Sequence, residues 1–335
     1  MKALVICTGG GIGDVLLATP LMRALRERYD EVVALTSPAH QTVLSAQTML
    51  SDLWIDDRSF TAQAGRIAAA GFDAAVVTWA SLRAAALPFV ARVPVRVGQT
   101  RRAYSPLFTI RVPVRSEFGD RTTHWTQILL DYARALGCEA KDATPSFPLT
   151  QADRDHARQL LGDAGIAQPY VVLHPTRGIA AAHARWPSSG LIELGRALRV
   201  KTGCALVLTG TRSDGGVAES VAREAGGISL AGKTSLATFG ALAESARAIV
   251  AMDSGPMHVA AAVGAPTVGL FPLQSDEPDR WAPLGRRTAI VRATYPCPPA
   301  HRKETCPDFA CVAALDVPAI ISALGGLIEA ADEKT

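Results

Sequence analysis

The chain has 335 residues, 48% of them hydrophobic and 19% charged. That length exceeds one ordinary core and suits two, and the apolar share excludes a largely disordered chain. A net charge of only +3 excludes a general nucleic-acid binder, whose domains carry a strong basic excess.

Short apolar runs alternate with longer amphipathic ones along the whole chain. Lys2–Cys7 predicts a buried strand and Gly9-Gly10-Gly11-Ile12-Gly13 a flexible turn. Asp14–Tyr29 predicts a helix with Leu17, Leu21, Ala24 and Leu25 on one face. Glu31–Thr36 and Phe72–Trp79 predict further strands. Gly9 interrupts the first apolar run too early for a secretion signal, and no run reaches about 18 uninterrupted apolar residues, the length a membrane span needs. The expectation is a cytoplasmic protein.

The rhythm restarts after Pro169. Tyr170–His174, Ala205–Thr209, Ala248–Met252 and Thr267–Phe271 predict strands. Helices are expected near 187–201, 216–225 and 256–263, with a closing helix near 317–331. The β-α-β order predicts two Rossmann-like, doubly wound α/β domains facing across a cleft. Residues 1–160 are expected to form the first and 161–315 the second, with the closing helix in 316–335 packing back on the first.

Charge is distributed unevenly. From Ala74 to Ser116 there is no acidic residue, while Arg83, Arg92, Arg96, Arg101, Arg102, Arg111 and Arg115 all fall there. Guanidinium forks without counter-charge suit phosphate or carboxylate, because each donates two parallel hydrogen bonds. The bland alternative is a solvated basic surface.

Two strand-to-helix turns carry the chemistry. At Thr8–Asp14 the glycines let a ligand approach the backbone, and the helix start offers N–H donors. A dinucleotide enzyme is the default reading of such a turn. Against it, Asp14 stands where a pyrophosphate would be repelled, and Asp30 and Glu31 come sooner than the about 20 residues usual for a ribose-binding acid. Asp14 reads either as a helix cap or as a general base. The second turn is Asp253-Ser254-Gly255-Pro256-Met257-His258. Gly255 allows close approach, Pro256 suits a first helical turn, and the N–H groups can hold a diphosphate.

That second string, with Ala260-Ala261-Ala262-Val263-Gly264-Ala265-Pro266-Thr267-Val268 and Trp281-Ala282-Pro283-Leu284-Gly285, closely resembles the bacterial heptosyltransferases of glycosyltransferase family 9. Gly11-Ile12-Gly13-Asp14-Val15-Leu16 with Thr19-Pro20 resembles that family's opening motif, and His174-Pro175 with Arg185-Trp186-Pro187 the start of its donor domain. The resemblance implies a GT-B type enzyme that transfers heptose from ADP-heptose to the inner core of lipopolysaccharide, either Kdo-lipid A or a core heptose. The cleft segments carry no D-x-D motif, which favours transfer without bound metal, and a single in-line displacement that inverts the anomeric centre is expected, with no cofactor. Asp14 would be the catalytic base. Gly11, Gly13, Thr176, Arg177, Arg185, Asp253, Ser254, Gly255, Met257 and His258 would bind the donor. Asp214 would reach its ribose, and Thr234 would lie near the adenine. Arg92, Arg96, Arg101, Arg102 and Arg121 would hold an anionic lipopolysaccharide precursor at the inner face of the inner membrane. One position departs from the family: Ala184 stands where a lysine is usual, with His183, Arg185 and Arg177 as basic neighbours.

Cys297, Cys306 and Cys311, with His301, could supply four ligands, but Ala300 breaks the C-x2-C pair that zinc sites favour. Loop thiols are the preferred reading, and no metal is expected. Three rivals remain: a nucleotide-sugar epimerase of the same build, a non-catalytic nucleotide-sugar binder, and a nicotinamide-dependent oxidoreductase.

Overall fold

The computed structural model describes residues 1–332 other than 80, 167, 177–185, 274–276, 297–305, 307 and 308. Contacts divide the chain into two units, Met1–Pro148 and Leu149–Thr335. The first holds strands β1 (Lys2–Cys7), β2 (Glu31–Thr36), β3 (Asp52–Ile55), β4 (Ala74–Val77), β5 (Val95–Gln99) and β6 (Ile110–Val112). The second holds β7 (Tyr170–His174), β8 (Ala205–Leu208), β9 (Ile228–Ser229), β10 (Ala248–Met252), β11 (Thr267–Phe271) and β12 (Thr288–Arg292).

Each unit is one parallel sheet, ordered β3-β2-β1-β4-β5-β6 in the first and β12-β11-β10-β7-β8-β9 in the second. Counted from its own first strand, each runs 3-2-1-4-5-6, the doubly wound Rossmann order. Both sheets therefore reverse direction of growth beside their first strand, between β1 and β4 and between β7 and β10. In register, Val5 lies opposite Ala34 on one side and Val76 on the other, and Val250 opposite Leu173 and Val268. Central strands covered by helices on both faces are buried along their whole length and mostly apolar, as β4, β7, β10 and β11 are, with His174 and Thr267 the polar exceptions at strand ends.

One expectation is corrected in detail. The single helix foreseen over 14–29 is two, Ile12–Leu16 and Thr19–Leu25. Pro20 has no N–H to offer the Leu16 carbonyl. The Thr19 hydroxyl donates to that carbonyl instead, at 2.7 Å, and the chain restarts its helix there.

The contacts also draw the boundary earlier than residue 160. Helix Gln151–Asp163, capped by the Thr150 hydroxyl, packs on helix Leu236–Ser245 of the second unit. Arg154 grips Glu244 there through Nε at 2.7 Å and Nη2 at 2.8 Å. The closing helix, Val317–Asp332, packs on helix Ser188–Thr202 and on β10, β11 and β12. Its Val317, Ile320 and Leu324 are buried in the second unit's own core, so its apolar face is satisfied within that unit.

Candidate active site

In an open parallel sheet, ligands sit beyond the carboxyl ends of the strands, at the point where the strand order reverses. In the first unit that point brings together the loops after β1 and β4. The Trp79 side chain lies so close to Gly9 that a Cβ there would fall 2.0 Å from Trp79 Cδ1. Gly10 adopts φ +78°, a region that side chains disfavour, and a Cβ on it would sit 2.8 Å from Cβ and Oδ2 of Asp14. The glycines thus make room for an indole on one side and a carboxylate on the other.

Asp14 lies in the first turn of helix Ile12–Leu16 and folds back over it. Its Oδ2 accepts from the Gly11 N–H at 2.7 Å. Burial pushes its carboxyl above the usual carboxylate range, while the Gly11 N–H and nearby His40 pull the other way. His40 is itself buried, with Nδ1 3.0 Å from the Ser37 hydroxyl, and burial lowers its pKa against the pull of Asp14. Sequence reasoning missed His40 and Trp79. Both follow strands that neighbour β1 in the sheet, so once the strand order is known the loops after β2 and β4 are the places to look.

The second unit repeats the arrangement between β7 and β10. At the end of β7 the His174 ring is clamped, with Nδ1 2.9 Å from the Thr209 hydroxyl and Nε2 3.0 Å from the Thr176 hydroxyl. Burial holds its pKa down at about 4, so the ring is neutral near pH 7 and fixes Thr176 through hydrogen bonding, not charge. After β10, Ser254 is extended at φ −164° and caps the start of helix Gly255–Ala262, its hydroxyl donating to the Met252 carbonyl at 2.9 Å. No described acceptor takes the N–H of Ser254 or Gly255, which leaves two backbone donors at a helix start for an anion. Asp253 is half-buried, and its N–H donates to the Leu270 carbonyl at 2.9 Å.

Other foreseen donor residues take definite places. His258 is buried in the first turn of the same helix. Met257 is wholly buried, packed where a Gly269 Cβ would meet its sulfur at 2.6 Å, and its N–H donates to the Ser254 carbonyl at 3.1 Å. Asp214 is buried after β8, its Oδ2 accepting from the Thr211 N–H at 2.8 Å. Thr234 is half-buried just ahead of helix Leu236–Ser245. Gly11 is exposed and Gly13 half-buried. Arg177, Arg185, His183 and Ala184 lie outside the described residues.

The arginine-rich run is less bare than its sequence suggested, because counter-charges arrive from outside it. Arg83 pairs with Asp56 at 2.6 Å, Arg102 with Glu117 at 2.7 Å, and Arg115 holds both oxygens of Asp131 at 2.7 Å. Arg96 donates to the carbonyls of Leu107 and Val93 and stacks over Phe89. Arg101 donates to the Glu117 carbonyl and lies over Phe118. Arg92 and Arg111 are exposed, and their side chains make no ion pair or hydrogen bond with a described residue. Arg121 is exposed too.

Of the clustered thiols, Cys297 and His301 lie outside the described residues. Cys306 is half-buried, its sulfur accepting from the Phe309 N–H at 3.3 Å, and Cys311 is buried. Among the described residues no three His, Cys, Asp or Glu side chains are placed to share a metal ion, and no helix is long and apolar enough to cross a membrane.

Two doubly wound sheets of Rossmann order, each with a helix start and a fixed polar side chain at its reversal point, give the chain the GT-B type of fold. The model of glycosyltransferase family 9 (heptosyltransferase) matches residues 61–308. Lipopolysaccharide heptosyltransferase 2 of Salmonella typhimurium is 27% identical over 315 residues, covering 87% of this chain and 88% of that protein. Among solved structures, a family 9 glycosyl transferase from Veillonella parvula superposes with a TM-score of 0.84 at 18% identity, over 98% of this chain and 97% of the other. The E. coli ADP-heptose lps heptosyltransferase II superposes at 0.78 and 21% identity, over 99% and 100%. The chain belongs to glycosyltransferase family 9, the heptosyltransferase family, and is a glycosyltransferase.

Proposed function

We propose that this protein transfers heptose from ADP-heptose to the inner core of lipopolysaccharide, with Kdo-lipid A or a core heptose as acceptor. The observation that carries the reading is the half-buried Asp14 carboxyl, raised in pKa and aimed by the Gly11 N–H at the sheet's reversal point. A carboxylate whose affinity for a proton is raised is the stronger base once ionised. Asp14 takes the proton of the acceptor hydroxyl as its oxygen attacks the anomeric carbon. The bond to the diphosphate breaks on the opposite side, so the anomeric centre inverts.

The second unit holds the donor. The N–H groups of Ser254 and Gly255 receive the negative charge that grows on the leaving ADP. Thr176, Arg177 and Arg185 flank the phosphates, with Arg185 the basic residue next to the position of Ala184. Asp214 takes the ribose and Thr234 the adenine side. Arg92, with Arg101, Arg102 and Arg121, receives the acidic acceptor, and Arg96 positions that segment. The residues assigned include no metal ligand and no cofactor contact. The substrates place the reaction at the cytoplasmic face of the inner membrane. The relative in Salmonella typhimurium, named for heptose transfer to lipopolysaccharide, supports the choice of sugar and acceptor.

The test incubates the purified protein with ADP-heptose, with and without Kdo-lipid A. ADP release that requires acceptor, together with a heptosylated product by mass spectrometry, is the expected result. An altered sugar without acceptor would point to an epimerase, and saturable donor binding with no reaction under either condition to a binder.

A further inference from the structure

Helix Leu82–Val90 carries an outward apolar stripe. Leu82 is 63% exposed, Phe89 46% and Val90 54%, with Ala86 half-buried between them. The spacing i, i+4, i+7, i+8 puts all four on one face of the helix. The opposite face is satisfied, since Ala84, Ala85, Leu87 and Pro88 are buried. Such a stripe has no reason to face water in a folded enzyme unless something covers it.

Its upper end joins the Asp14 loop. Trp79, three residues before Leu82, is 38% exposed and packs against Gly9. The stripe thus begins three residues after the tryptophan that packs against the Asp14 turn. Its lower end is basic. Arg92, just past the helix, is exposed and uncommitted, and Arg96 lies over the Phe89 ring. No acidic residue occurs anywhere from 74 to 116.

We infer that this face is a docking surface for an anionic lipid bilayer, with Leu82, Phe89 and Val90 entering the headgroup–acyl boundary and Arg92 meeting lipid phosphates. Apolar side chains rimmed by arginine are the pattern of an interfacial helix, in which burial and attraction to anionic lipid add. A second copy of the chain fits the stripe poorly, because two such faces would bring arginine against arginine. The inference names a partner for the reading above, yet it does not depend on which sugar is moved. It gives the Asp14 turn a membrane-held acceptor to work on.

The test is co-sedimentation of the full chain with vesicles of phosphatidylethanolamine and phosphatidylglycerol, against vesicles of phosphatidylcholine alone, at low and high salt. The wild type is expected to pellet with the anionic vesicles, and less so as salt rises. The triple variant Leu82→Ser, Phe89→Ser, Val90→Ser should bind about tenfold more weakly or worse. Val200→Ser, at an exposed valine of the second unit, should bind as wild type. The single variant Leu82→Ser, at the most exposed of the three, keeps the test decisive should the triple variant unfold. Transfer to a delipidated, soluble acceptor is measured alongside and should be unchanged in the triple variant. Absent transfer with intact vesicle binding would sink the functional reading alone. A wild type that stays in the supernatant, a stripe variant that binds fully, or stripe-dependent dimerisation in analytical ultracentrifugation would overturn the docking surface.

Discussion

The Asp14 carboxylate accepts the Gly11 N–H at 2.7 Å, and the glycine between Thr8-Gly9 and that donor, Gly10, owes its identity to the same carboxylate. A turn built in this way holds one oxygen of the acid in place and tunes its affinity for a proton.

The pH dependence follows from that tuning. Burial raises the folded-state pKa of Asp14 above its unfolded value. The native state therefore holds this proton more tightly, and the ionised group costs stability above the folded value, a cost that shrinks as pH falls below that value and is gone below the unfolded one. kcat/KM should decline on the acid side with a midpoint above that of an ordinary aspartate. At pH 7 the Asp14→Asn protein, whose amide oxygen can still accept from Gly11, should melt no lower than wild type. An acid limb at the ordinary aspartate value would remove burial as the cause.

Gly10→Ala should harm catalysis more than folding. The left-handed φ costs an alanine about 1 kcal/mol, and the new methyl would press on the Asp14 carboxylate. We expect a melting-point loss of a few degrees with a far larger fall in kcat. Equal, small effects on both would show that the carboxylate's position is unimportant.

His174 predicts a stability change with the opposite pH sense. Its pKa falls from 6.5 to about 4 on folding, so the unfolded chain binds the extra proton between those values. The stability it provides is complete above pH 6.5 and is lost as pH falls toward 4, amounting to roughly 3 kcal/mol. Denaturant unfolding across that range should show the loss, and His174→Gln should flatten it. Identical slopes for the two proteins would contradict the assignment.

The arginines divide by what they touch. Arg96→Ala removes two bonds to backbone carbonyls and a ring contact, and should cost about 1–3 kcal/mol of stability. Arg92→Ala should leave stability unchanged but raise the acceptor KM and weaken its dependence on salt. Kinetics at two ionic strengths beside thermal melts separate the two effects.

The strands at the centre of each sheet were readable because burial on both faces demands an unbroken apolar run, as in Ala248–Met252. The edge strands β3, β6, β9 and β12 were not, and neither was the internal β5, whose Val-Arg-Val-Gly-Gln carries an arginine and a glutamine. The edge strands are short or half-exposed, so β6 reads simply as Ile-Arg-Val and β9 has two residues. Asp14 and the Ser254 turn were visible because glycine and proline mark where backbone must meet ligand. His40 and Trp79 were hidden because only the strand order brings their loops to Asp14. The counter-charges of the arginine run were hidden for the same reason, since Asp56 and Asp131 are remote from it in the chain. The Thr19 restart turns on one proline, whose missing N–H outweighed an otherwise good helical pattern.

The measurement that bears most directly on the account is steady-state ADP release by Asp14→Asn, from ADP-heptose and an inner-core acceptor. Loss of a general base predicts a fall in kcat of about 10²–10⁴-fold, with the fold retained and donor affinity near that of the wild type. Turnover within a few-fold of the wild type would contradict the role given to Asp14 and, with it, the mechanism.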